Sequence, residues 1–155
     1  MNPLTYLNYD LDLPYLLTLA ENIKQDANPY KDPRYEKALE TWKILKYTDP
    51  YIEKIMKDFN IEGSPRFYWQ EANSVLPMHT DNGTTCSINF VLTEDPAPIT
   101  IEDKEYYYKQ ALLDTTRRHG VTTQGSERIL LKISIFDTPY ETVAENLPTE
   151  TLFHE

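Results

Sequence analysis

The stretch ERILLKISIF, residues 127–136, decides what kind of fold this chain adopts. Ile129, Leu131, Ile133 and Ile135 fall on one set of alternate positions, and Arg128, Leu130, Lys132 and Ser134 on the other. Side chains of a strand alternate between its two faces, so this run predicts a long strand with one wholly apolar face. Arg128 then heads a strand that is otherwise core-like. If it points inward it needs a partner, and a guanidinium is the fork-shaped donor that holds a carboxylate bidentately. At a strand end it could instead reach water. Lys132 shares its face and competes for any anchoring role.

Working back from this strand, a period of two persists to about residue 64. RFYWQEA sets Arg66, Tyr68 and Gln70 against Phe67, Trp69 and Glu71, and TCSINFVL sets Ser87, Asn89 and Val91 against Ile88, Phe90 and Leu92. APITIED and KEYYYKQALLDT supply two or three further short strands, with turns at DNGT, EDPAP and TTQGSE. Roughly six to eight short strands with turns every 8–12 residues predict an antiparallel sandwich or barrel.

Before about residue 62 the spacing turns helical. Asp12 is a candidate N-cap with Pro14 in the first turn and an apolar face through Leu16, Leu17, Leu19, Ala20 and Ile23. Residues 32–47 suggest a second helix with Tyr35, Leu39, Trp42 and Leu45 on one side. A third begins at Thr48 or Asp49, opens with Pro50 and carries Ile52, Ile55, Met56 and Phe59 as its stripe. The expected organisation is one domain over residues 1–155: mainly helical support at 1–62, a strand-rich core at 63–137, and a polar tail at 138–155 with a loose end.

Composition narrows the partners. The 155 residues carry a formal net charge of −10, which disfavours a phosphate backbone or anionic membrane as main partner. Arg117 and Arg118 are the only adjacent arginines, too few for a nucleic-acid footprint. The single cysteine, Cys86, excludes an internal disulfide and suits a reducing cytoplasmic setting, where it reads as a small core residue. No run approaches a membrane span, and the N-terminal residues lack the pattern of a signal peptide.

Three histidines remain to be placed. His79 and Asp81, in LPMHTDNG, stand at i and i+2, which on a strand puts an imidazole and a carboxylate on one face. Alone, the pair also fits a turn containing a satisfied histidine. His119, in RRHGV, supplies a third ligand type far along the chain, though by itself it reads as a surface histidine beside two arginines. Two histidines and one carboxylate on one side of a metal leave the other side open, which suits non-heme Fe(II) chemistry. His154, next to the C-terminus, is expected to be exposed and inert.

The order of these motifs, H-x-D (His79, Asp81), then several strands, then His119, then Arg128 nine residues later on a final strand, resembles the Fe(II)/2-oxoglutarate-dependent oxygenases. The resemblance covers about residues 65–136. ANSVLPMHTDNG followed by CSINFVL looks most similar to the aspartyl/asparaginyl β-hydroxylase and prolyl 4-hydroxylase branches. Two features depart from these patterns. Arginine stands where prolyl hydroxylases usually carry a lysine anchor, and no Arg-x-Ser pair follows.

The resemblance implies an α+β protein whose core is a double-stranded β-helix (jelly-roll, cupin-like), with N-terminal helices packed on the main sheet. It implies Fe(II) held by His79, Asp81 and His119, 2-oxoglutarate as cosubstrate with its far carboxylate on Arg128, and O2 as oxidant. A small-molecule or peptidyl substrate would be hydroxylated with release of succinate and CO2. Tyr68, Ser87 and Asn89, polar positions on strand faces near the motif, are candidate cosubstrate contacts; ordinary polar pairing in a barrel interior accounts for them equally. Tyr106 and Tyr108 share a face opposite Tyr107 and read first as packing. Two readings compete: a cupin-like metalloprotein of other chemistry, and a non-catalytic β-barrel binding module.

Overall fold

Residues 2–30, 41–81, 83–94 and 97–154 are described by a computed structural model of the chain. In order they form β1 (Leu4–Tyr6), α1 (Leu13–Ile23), β2 (Asn28–Pro29), β3 (Trp42–Lys46), α2 (Pro50–Phe59), β4 (Ser64–Gln70) and β5 (Val75–His79). Then come β6 (Cys86–Val91), β7 (Ile99–Ile101), β8 (Lys104–Tyr106), β9 (Gln110–Leu113), β10 (His119–Thr122), β11 (Arg128–Ile135) and α3 (Tyr140–Asn146). No helix among the described residues is long and apolar enough to cross a membrane.

The strands make two antiparallel sheets. The larger has the order β1-β9-β6-β11-β4-β3-β2 and the smaller β5-β10-β7-β8. β11 runs between β4 and β6 in the middle of the larger sheet. On one face of that sheet, Ile129, Leu131 and Ile133 join Phe67, Trp69 and Phe90 in the main apolar core. Leu16, Ala20, Ile52, Ile55 and Phe59 from α1 and α2 complete it. Fully burying each such large side chain is worth about 1.5–3 kcal/mol, so this layer holds the helices to the sheet. On the opposite face two smaller clusters join the sheets: Leu4, Ala111 and Leu113 with Ile99, Ile101 and Val121, and Trp42, Tyr68, Val91 and Leu130 with Leu76. This is the double-stranded β-helix, with helices outside the larger sheet and a lined space between the two sheets.

The helix starts follow the expected chemistry. The Asp12 side chain accepts from the Tyr15 N–H at the start of α1, and Asp49 accepts from the Ile52 N–H at the start of α2. α2 ends at Asn60 in the left-handed conformation (φ 57°), which asparagine tolerates.

The helix expected over 32–47 is corrected where it is described. Residues 31–40 lie outside the described residues, and Trp42–Lys46 is a strand pairing with both β4 and β2. Trp42 and Leu45 are three apart, which imitates a helix face, but two neighbouring strands satisfy this backbone better and Trp42 stacks on Tyr68 at 5.2 Å. Among the described residues, the first 62 positions thus contribute three strands to the larger sheet as well as two α-helices. The tail is also more ordered than its polarity suggests. Tyr140 and Val143 of α3 enter the main core, the Tyr140 hydroxyl lies 2.7 Å from that of Thr5, and Leu152 bridges to Leu7.

Candidate metal centre

β5 and β10 lie side by side and antiparallel, with His79 directly opposite His119. Both imidazoles are on the same side of the smaller sheet, their ring centroids 4.5 Å apart. Gly120 makes the strand approach possible: a Cβ there would stand 2.7 Å from the Leu76 carbonyl oxygen and 3.1 Å from the Met78 nitrogen. The pairing register shifts just past His119, a bulge that re-aims the chain beside the site. The chain leaves β5 after His79, and Asp81 follows, its N–H donating to the Thr115 carbonyl at 3.3 Å.

The result is a convergence of three side chains. Asp81 Oδ1 is 3.2 Å from His79 Nε2 and 3.2 Å from His119 Nε2. One ligand atom from each residue lies within 4.8 Å of the others. The far nitrogens reveal what these atoms are. His79 Nδ1 donates to the Pro77 carbonyl and His119 Nδ1 to the Arg117 carbonyl, each at 2.7 Å. A carbonyl only accepts, so each Nδ1 carries a proton, and each Nε2 is the ring nitrogen turned toward the carboxylate. Two imidazole nitrogens and one carboxylate oxygen facing one point are a donor set that suits a divalent cation. Ligating histidines are oriented by this same outer hydrogen bond.

Lys132 reaches the group from the central strand. Its Nζ is 2.5 Å from Asp81 Oδ2 and 5.5 Å from the Tyr68 ring centroid. Burial alone would raise the Asp81 carboxyl. The Lys132 ammonium and the two imidazoles outweigh it and hold the group far below the usual carboxylate range. Burial pulls Lys132 down, but Asp81 more than compensates and the ammonium is raised.

Behind the centre, His79, His119 and Lys132 border a cavity with about 530 Å³ of empty space, part of it open to solvent. Leu76, Ile101, Val121 and Leu130 give it apolar walls, and Arg128 lines it from the start of β11. Arg128 is 5% exposed. Its guanidinium donates to the Tyr108 hydroxyl at 3.0 Å, has no carboxylate partner among the described residues, and leaves its buried Nε–H unpaired. A buried guanidinium with an unmet donor beside a cavity is an incomplete anion site.

The other expected contacts sit nearby with partners of their own. Asn89 donates to the Tyr108 hydroxyl at 3.1 Å and accepts from the Ser87 hydroxyl at 2.8 Å. Tyr68 stacks on Trp42 and faces the Lys132 ammonium. Of the remaining candidates, Arg117 is held by Glu102 and Asp114 at 3.2 and 3.3 Å, Cys86 lies in the main core, and His154 is exposed.

Three participants were not anticipated in these roles. Tyr108 joins Arg128 to Asn89, Trp42 lies 6.1 Å from the His79 ring centroid, and Lys132 pairs with Asp81. The alternation through EYYYK had already set Tyr108 apart from Tyr107, which is 63% exposed.

No family profile and no curated protein matches the sequence. Solved structures do match in shape. A viral collagen prolyl hydroxylase from Paramecium bursaria Chlorella virus-1, in complex with 2-oxoglutarate, has TM-score 0.55 and 8% identity, with 86% of this chain and 94% of that one covered. A Pseudomonas putida prolyl-4-hydroxylase has TM-score 0.55 and 13% identity over 79% of this chain and 85% of that one. A 2OG-Fe(II) oxygenase family oxidoreductase from Burkholderia pseudomallei has TM-score 0.52 and 12% identity over 79% and 76%. The DMSP lyase DddQ from Ruegeria pomeroyi DSS-3 has TM-score 0.40 and 15% identity, with 48% of this chain and 38% of that one covered. The chain has the fold of the Fe(II)/2-oxoglutarate oxygenases, and in that fold it carries a His-Asp-His cluster.

Proposed function

We propose that this protein is an Fe(II)- and 2-oxoglutarate-dependent dioxygenase that hydroxylates a small-molecule or peptidyl substrate. The observation that carries the reading is the convergence of His79 Nε2, His119 Nε2 and Asp81 Oδ1, with both imidazoles oriented by backbone carbonyls so that Nε2 faces the carboxylate. Two neutral imidazoles and one carboxylate on one side of an ion fit Fe(II) and leave its other side open. Bound iron would supply the redox chemistry, coupling decarboxylation of 2-oxoglutarate by O2 to oxidation of a C–H bond. The balance is substrate, 2-oxoglutarate and O2 in, and hydroxylated substrate, succinate and CO2 out.

The chain's own residues do the positioning. Arg128 offers the buried cation for the cosubstrate's far carboxylate, and the Tyr108 hydroxyl shares that end of the cavity. Tyr68, Ser87 and Asn89 border the same space and complete its polar lining. Leu76, Ile101, Val121 and Leu130 exclude water from the reacting groups, which strengthens every charge interaction among them. A neutral or cationic substrate suits the chain's formal net charge of −10.

The test is release of succinate from 2-oxoglutarate under air with added Fe(II), followed with and without a substrate panel. Wild type should turn over slowly without substrate, and His119→Ala should lose turnover together with Mn(II) binding. Succinate formation unaffected by His119→Ala would refute the assignment.

A further inference from the structure

The two oxygens of Asp81 have different partners. Oδ1 faces both imidazoles at 3.2 Å, while Oδ2 is held by Lys132 Nζ at 2.5 Å. Lys132 is in a poor position to let go. It lies mid-strand on β11, opposite Arg66 of β4 on one side and Asn89 of β6 on the other. Only 9% of its surface is exposed, and its ammonium sits over the Tyr68 ring. A buried ammonium that left Asp81 would lose its principal counter-charge.

We propose that Lys132 is a positioning residue that restricts Asp81 to one ligating oxygen and so sets how many positions on the bound metal stay open. The inference rests on the metal reading above. A six-coordinate ion held by two imidazoles and one carboxylate oxygen has three free positions. A carboxylate binding through both oxygens reduces them to two. A cosubstrate that chelates through two atoms needs two positions, and oxygen needs a third. Lys132 keeps the third by occupying the oxygen that would otherwise swing onto the metal. The second anchor candidate on β11 is thereby committed to the metal ligand, and Arg128 is left for the distal carboxylate.

Co(II) binding tests this, because its visible spectrum reports coordination number. Wild type, Lys132→Met and Lys132→Arg are titrated with Co(II), and affinity and band shape are read separately. The expected result is an altered spectrum in Lys132→Met with no loss of affinity, because Asp81 gains a second metal contact as a positive charge is removed, and recovery of the wild-type spectrum in Lys132→Arg, which restores a cationic donor. If Lys132→Met does not fold, Lys132→Gln serves in its place, keeping a donor but no charge. A wild-type spectrum in the uncharged variant would overturn the role of Lys132 while leaving the metal centre standing. Failure of wild type to take up Co(II) would instead overturn the centre itself.

Discussion

Along β11 the outward residues Ile129, Leu131, Ile133 and Ile135 meet the helices, whereas Arg128, Leu130 and Lys132 meet the space between the sheets and Ser134 alternates onto their face. All eight are buried. Burial therefore separates nothing here, and chemistry separates everything. The outer face is interchangeable hydrocarbon whose contribution scales with area. The inner face places two cations where burial is costly: Lys132 pairs with Asp81, while Arg128 donates to Tyr108 and keeps an unpaired Nε–H. A strand at the centre of a sheet can thus carry structure on one side and a site on the other, and substitutions on the two sides should fail in different ways.

The largest effect is expected on the outer side. Leu131→Ala should lower unfolding stability by about 2–5 kcal/mol in urea denaturation, with metal affinity of the folded fraction unchanged. A comparable loss of metal affinity would break the separation of faces. On the inner side, Arg128→Met should weaken 2-oxoglutarate binding by about 1.5–3 kcal/mol, the worth of hydrogen bonds to a charged group. Calorimetry on the Mn(II)-loaded protein reads this directly, and Mn(II) affinity itself should hold. Equal cosubstrate binding by both proteins would remove Arg128 from the site. A smaller effect is expected across the cavity at Gly120. Its alanine variant must push β10 from β5 to relieve a 2.7 Å contact, and the displaced His119 should cost about tenfold in Mn(II) affinity, roughly 1.4 kcal/mol. Unchanged affinity would mean that the strands absorb the shift without moving the imidazole.

The sequence made the two faces of β11 legible because strand alternation is local and Ile129 to Ile135 keep strict period. It likewise carried α1 and α2, whose aspartate caps and early prolines act within one turn. The His79–Asp81–His119 cluster was readable in part: His79 and Asp81 are neighbours in sequence, and His119 and Arg128 follow in a set order on later strands. What stayed hidden depends on register between distant strands. Trp42–Lys46 became a strand because β2 and β4 flank it, which its own spacing does not state. The Lys132–Asp81 contact joins residues 51 apart across the two sheets. Tyr108 stands beyond the end of β8, where alternation gives a side but no partner.

The central claim is that His79, Asp81 and His119 hold iron beside a cosubstrate site. Anaerobic addition of Fe(II) and 2-oxoglutarate to the protein tests it most directly, read as a weak metal-to-ligand charge-transfer band in the visible. The account predicts a band that requires both additions and is lost in His119→Ala. Absence of the band in wild type, together with no thermal shift on adding Fe(II) or Mn(II), would contradict it.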